Sequence, residues 1–131
     1  MGWKECLSRD IAKPVKQDKN LINSARRIAN EKVISANTLG IKHYYAKISL
    51  LYDALREYLE CIALENGYKV YNHECYTYFL NEVLKLKKEA IIFDRLRKVR
   101  NKINYYGEII TQEKAELIIN DLKILINKFK R

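Results

Sequence analysis

Apolar residues return every three or four positions through five successive blocks of this chain, and that recurrence most constrains its fold. A helix of 3.6 residues per turn gathers such residues on one face, which must then be buried. The first block follows the only proline, in AKPVKQDKN. It carries Ile22, Ala25, Ala29, Val33 and Ala36 to a stop near Thr38-Leu39-Gly40. The second spans His43 to Glu65, with Ile48, Leu51, Leu55, Leu59 and Ile62 as its stripe and Asn66-Gly67 as its end. The third opens at Asn72 as N-cap and turns Tyr76, Phe79, Leu80 and Val83 inward. The fourth turns Ile92, Leu96, Val99, Ile103 and Tyr106 inward and closes at Gly107. The fifth opens at Thr111 and runs through Ala115, Ile118, Leu122, Leu125 and Phe129. No segment reads as a strand, because the β-favouring VYNHECYTYF spaces its apolar residues as a helix does. Residues 1–17 form an N-terminal extension or short helix carrying Trp3 and Leu7. The pattern predicts a single domain over 1–131, an all-α, up-down bundle of four main helices plus one shorter helix.

No apolar run approaches the roughly 20 residues of a membrane span. The opening MGWKECLSRD carries no apolar signal core. A soluble, cytoplasmic protein without membrane contact is expected. Cys6, Cys61 and Cys75 make an odd count with no CxxC, and they read as reduced, buried thiols. His73 and Cys75 are close in sequence, but no second ligand pair stands at zinc spacing, so neither a metal nor another cofactor is expected. The net charge is +9, unevenly spread. Residues 1–42 carry +5, 43–75 carry −2 and 76–131 carry +6. Such a surface suits anionic partners, RNA first among them, and equally describes the solvated surface of a lysine-rich protein.

The basic residues are densest in RLRKVRNKINYYG, residues 95–107, where five fall within the first eight positions. On a helical wheel Phe93, Arg97, Arg100 and Asn104 form a stripe beside the apolar one, with Asn101 and Tyr105 on its outer side. Arg100 therefore lies over a groove. Its planar fork of donors suits phosphate, and Arg97, Lys102 and Asn104 would add to an RNA- or phosphate-binding surface. The alternative is a polar seam in which Arg100 pairs with a carboxylate of the second helix, where Asp53, Glu57 and Glu60 recur at helical spacing. Ten tyrosines can stack on bases or pack a core edge.

In the order of several segments the chain resembles HEPN domains, an α-helical family of prokaryotic toxins, RNA-cleaving domains and nucleotidyltransferase partners. The segments are WKECL near the start, YDALREYLECIALENGYKVYNHE at 52–74, and RLRKVRNKINYYG before the last helix. The resemblance spans most of the chain. It implies a HEPN-like bundle and a two-fold homodimer in which two copies of the fourth helix face each other across a composite site. In catalytic members an Arg and a following polar residue precede a His by four to six positions, and cleavage is metal-independent, through attack of the ribose 2′-OH on the adjacent phosphate. Here Arg100-Asn101 match the first two positions, while Tyr105, Tyr106 and Gly107 occupy those of the His. Arg100, Asn101, Tyr105 and Tyr106 are the implied catalytic positions, with Asp53 and Glu57 as supporting acids. A neutral tyrosine titrates near pH 10, so it donates a hydrogen bond but is a poor base at pH 7.

The resulting expectation is a homodimeric HEPN-domain protein that binds RNA or nucleotide phosphate and pairs with a nucleotidyltransferase in a toxin–antitoxin-like system. The alternatives are a weak metal-independent ribonuclease and a purely structural protein-interaction module. An imidazole from His43 or His73 near Arg100 favours the first alternative; an occluded, salt-bridged Arg100 favours the second.

Overall fold

The computed structural model describes residues 1–130 and is mostly helical. Its elements are α1 (Trp3–Ser8), β1 (Ala12–Pro14), α2 (Lys19–Thr38), a 3₁₀ turn (Ile41–His43), α3 (Tyr44–Glu65), β2 (Tyr68–Val70), α4 (His73–Tyr78), a π-helical segment (Phe79–Val83), α5 (Lys87–Tyr106) and α6 (Gln112–Phe129). No helix among the described residues is long and apolar enough to cross a membrane.

The helix starts follow from side-chain caps. Asp18 accepts from the backbone N–H groups of Asn20 and Leu21, Asn72 from that of Glu74, and Thr111 from that of Lys114, each satisfying donors a helix start leaves open. Gly107 ends α5 in the left-handed conformation, at φ 63°. α3 lies at the centre, with buried residues from Ile48 through Leu64. α2 runs antiparallel beside it, so that Arg26 meets Glu65 while Lys32 meets Glu57. α5 and α6 are also antiparallel, Glu89 pairing with Lys128 and Arg95 with Asp121.

Three features depart from the sequence expectation. First, β1 and β2 form a small antiparallel ribbon, with Ala12 opposite Val70 and Lys13 opposite Lys69. Ala12 and Val70 are buried, so this ribbon seats one face on the core. Second, α5 is rotated from the expected wheel. Phe93 is fully buried, Ile92, Val99 and Ile103 are half-buried, and Tyr106 is 82% exposed. The stripe of Phe93, Arg97 and Arg100 thus turns toward α3 and α4 more than the periodicity implied. Third, Cys6 and Cys75 are joined in a disulfide, and only Cys61 is a free, buried thiol. The reduced state expected for all three holds for Cys61 alone.

The disulfide ties α1 to α4. Trp3 adds a second tie, packing edge-on to Tyr68 and against Phe79, while its backbone N–H donates to Glu82 at 2.9 Å. Closing a loop of this length, 69 residues apart in sequence, removes chain entropy from the unfolded state, worth about 4 kcal/mol in the simplest account. Urea unfolding with and without a thiol reductant should show a loss of about 2–4 kcal/mol on reduction. A Cys6→Ser, Cys75→Ser variant should match the reduced protein and no longer respond to reductant.

Candidate functional site

The polar groups of α3 that face α4 and α5 gather with the basic stripe of α5 into one seam. Arg100 sits at the end where Tyr105 covers the seam. Its guanidinium lies 5.2 Å from the ring centre of Tyr52 and 5.7 Å from that of Tyr105, a cation held between two aromatic faces. The side chain is 16% exposed. Its polar contacts are nonetheless weak. One terminal nitrogen reaches the Tyr105 hydroxyl at 3.4 Å, another stands 3.8 Å from Asp53, and Nε is buried with no partner. A hydrogen-bonded guanidinium–carboxylate pair is shorter, near 2.7–2.9 Å.

Arg97, one turn earlier, is saturated by comparison. Asp94 accepts from its Nε at 3.1 Å and from a terminal nitrogen at 2.8 Å, and Glu74 stands 3.7 Å away. Burial pushes the Asp94 carboxyl up, but bonds from Arg97 and Lys98 outweigh it and hold the group below its ordinary value. Two adjacent arginines on one stripe are therefore in different states: one is neutralised in place and the other is poorly partnered.

His73, the first residue of α4, enters the same seam. Its Nδ1 is 3.3 Å from the Tyr52 hydroxyl, on the residue whose ring supports Arg100. Burial first, then the charges of Arg56 and Arg100, lower its pKa to about 4, with Asp53 opposing. The imidazole is thus neutral at pH 7. Burial likewise raises the Tyr52 hydroxyl well above its usual range.

The other expected residues are dispersed. Asp53 faces Arg100, whereas Glu57 pairs with Lys32 at 2.7 Å and Arg56 at 3.6 Å and does not reach the site. Tyr105 touches Arg100; Tyr106 points to solvent. Asn101 is half-buried, and Lys102 and Asn104 are exposed. His43, ending the 3₁₀ turn, is exposed. Among the described residues no three His, Cys, Asp or Glu side chains group to hold a metal ion. Tyr52 and Arg56 were not singled out as site residues from sequence. The available signal was their place one residue before and three after Asp53 on α3.

The His73 shift links the site to stability. A pKa lower in the folded than in the unfolded state means the unfolded chain takes the proton first. Stability is full above about pH 6.5 and is lost as pH falls toward 4. Between pH 7 and 5 the loss should be about 1 kcal/mol, allowing for solvent screening at a half-buried group. Chemical denaturation across that window should show it, and His73→Gln should flatten the profile while His43→Gln leaves it in place.

No protein-family model matches the chain, and neither a curated protein nor a solved structure matches it.

Proposed function

We propose that this protein binds the phosphate of RNA or of a nucleotide through Arg100. The reading rests on one observation: Arg100 is fixed between Tyr52 and Tyr105 while, among the described residues, its terminal nitrogens make no polar contact shorter than 3.4 Å and its nearest carboxylate stands at 3.8 Å. A fixed guanidinium with spare donors has little orienting entropy left to lose when an oxyanion arrives. The tyrosine that covers it, Tyr105, is 69% exposed and sits on the solvent side.

The proposal includes a HEPN-like bundle and a homodimer. Supporting the dimer, Tyr106 and Ile109 are exposed, and the exposed Leu117 lines a groove of about 320 Å³ with Leu96, Val99 and Ile118. Pairing across this side of α5 and α6 would bring the two Arg100 helices toward each other. Partnership with a nucleotidyltransferase, in a toxin–antitoxin-like system, rests on the HEPN resemblance alone. A cytoplasmic setting belongs to the same reading, although a disulfide such as Cys6–Cys75 is more at home in an oxidising compartment.

The test is RNA binding as a function of salt. Arg100→Ala should weaken binding and reduce the slope of log K against log salt by about 0.7, one phosphate on a single strand. Arg97→Ala is expected to lower stability and to leave that slope nearly unchanged. Binding untouched by Arg100→Ala at low and moderate salt would sink the reading and leave Arg100 a structural seam residue.

Slow, metal-independent cleavage of RNA is the second reading, favoured by His73 standing one hydrogen bond beyond Tyr52. An imidazole with a pKa near 4 is a weak base, and general acid–base help is typically worth about 10²- to 10⁴-fold. The purified protein should therefore cleave RNA slowly or not at all, with or without chelator. Rapid, chelator-resistant cleavage leaving 2′,3′-cyclic phosphate ends, and lost on His73→Gln, would instead make His73 the base.

A further inference from the structure

The seam does not end at Arg56. Glu60 bridges Arg56, at 3.4 Å, to Lys69 on β2. Asp53, Arg56 and Glu60 recur at helical spacing on one face of α3, and the seven steps from Asp53 to Glu60 cover about 10 Å of helix axis. That is more than one nucleotide's length of extended backbone. At its far end the β1–β2 ribbon sets Lys13 directly opposite Lys69. The adjacent pair, Ala12 and Val70, is buried, so both lysines lie on the outer face. Like charges placed opposite each other destabilise a ribbon. Glu60 relieves Lys69 only; Lys13 has no carboxylate partner among the described residues, and its ammonium lies 5.9 Å over the ring of Tyr71. Tyr71 is itself 59% exposed. Each end of the seam thus carries an under-neutralised cation beside an exposed tyrosine: Arg100 with Tyr105, and Lys13 with Tyr71.

We propose that the ribbon continues the Arg100 site into a track for a single-stranded polynucleotide, with Lys13 taking a second phosphate and Tyr71 stacking the neighbouring base. The proposal rests on the phosphate-binding reading of Arg100 and extends it from a single anion to a strand. Cations interleaved with exposed aromatic rings are what single strands require, because every base offers a flat face whatever its sequence. An acidic peptide would use the cations and leave the rings idle.

The full-length protein is titrated with uridine 3′-monophosphate and with an oligouridylate of about eight nucleotides, within the usual site size for one domain. The oligomer should bind more tightly. Lys13→Ala should remove about 0.7 from its salt slope. Tyr71→Ala should weaken the oligomer about five-fold or more. Neither change should alter binding of the mononucleotide, whereas Arg100→Ala should weaken both ligands. Lys13 and Tyr71 are both exposed and their side chains face each other at 5.9 Å, so these variants are expected to fold; an unchanged thermal midpoint checks it. A deoxy-oligomer lost to the same two substitutions also supports the track and shows that it reads charge and stacking, not the 2′-OH.

Equal affinity for mononucleotide and oligomer, or an oligomer indifferent to both ribbon substitutions but lost on Arg100→Ala, overturns the track and leaves the Arg100 site standing. Oligoglutamate that competes as well as the oligomer, with no effect of Tyr71→Ala, overturns a polynucleotide as the occupant. Failure of both probes to bind the unaltered protein removes the Arg100 reading together with the track.

Discussion

The burial of α3 is the constraint from which the rest of the structure follows. From Leu51 to Leu64 nearly every residue of this helix is covered, so charged groups on it cannot rely on water. Asp53, Arg56, Glu57 and Glu60 all lie in that stretch; the three carboxylates are met by charges from three other elements, Arg100 on α5, Lys32 on α2 and Lys69 on β2, while Arg56 pairs with Glu57 and Glu60 on α3 itself. A carboxylate removed from water without such a partner costs several kcal/mol, on the order of the stability of a small domain. The polar seam is thus a consequence of burying a helix that keeps charges on one face. It also gives the packing of α2, α5 and the ribbon around α3 a register that apolar contacts alone would leave loose.

Within that seam Arg97 and Arg100 show how one helix turn changes a residue's role. Both belong to the stripe that begins at Phe93, and both are mostly covered. Arg97 donates two hydrogen bonds to Asp94 on its own helix and has Glu74 on α4 as a second carboxylate 3.7 Å away. Arg100 has passed the end of α4 and meets aromatic rings and a distant Asp53. Rings stabilise a cation by their faces without satisfying its N–H donors. The cation is held in position while its hydrogen-bonding capacity stays largely unspent, which is the condition an anion site needs.

Much of the helical layout was legible because long amphipathic segments carry their own period and their own caps. Asp18, Asn72 and Thr111 start helices through short-range hydrogen bonds that a local sequence fully specifies. The ribbon was not legible. Three residues are too few to show a period of two, and Lys13-Pro14 gives no strand signal. The disulfide was hidden for a different reason: cysteines 69 positions apart become neighbours only through the docking of α1 on α4. The rotation of α5 was ambiguous in principle, since Ile92 and Phe93 head two adjacent stripes and both are apolar. The buried aromatic group around Tyr52 and Tyr76 decides it, by giving Phe93 ring partners that Ile92 lacks.

The same distinction separates what could be seen of the site from what could not. Arg100 and its pairing to α3 follow from helical spacing, which brings Asp53 forward as a candidate without any tertiary information. What spacing cannot show is the quality of that pairing, and the phosphate-binding proposal turns on it. A carboxylate at 2.8 Å would make Arg100 a structural twin of Arg97; at 3.8 Å, with Tyr52 and Tyr105 on its two sides, Arg100 is held without being neutralised. Nor could spacing assign His73, because its link to Arg100 runs through the Tyr52 hydroxyl from a helix reached only after the ribbon turns the chain back. Local chemistry names the residues of such a seam, and the packing of α4 and α5 against α3 decides which of them keep a free valence for a ligand.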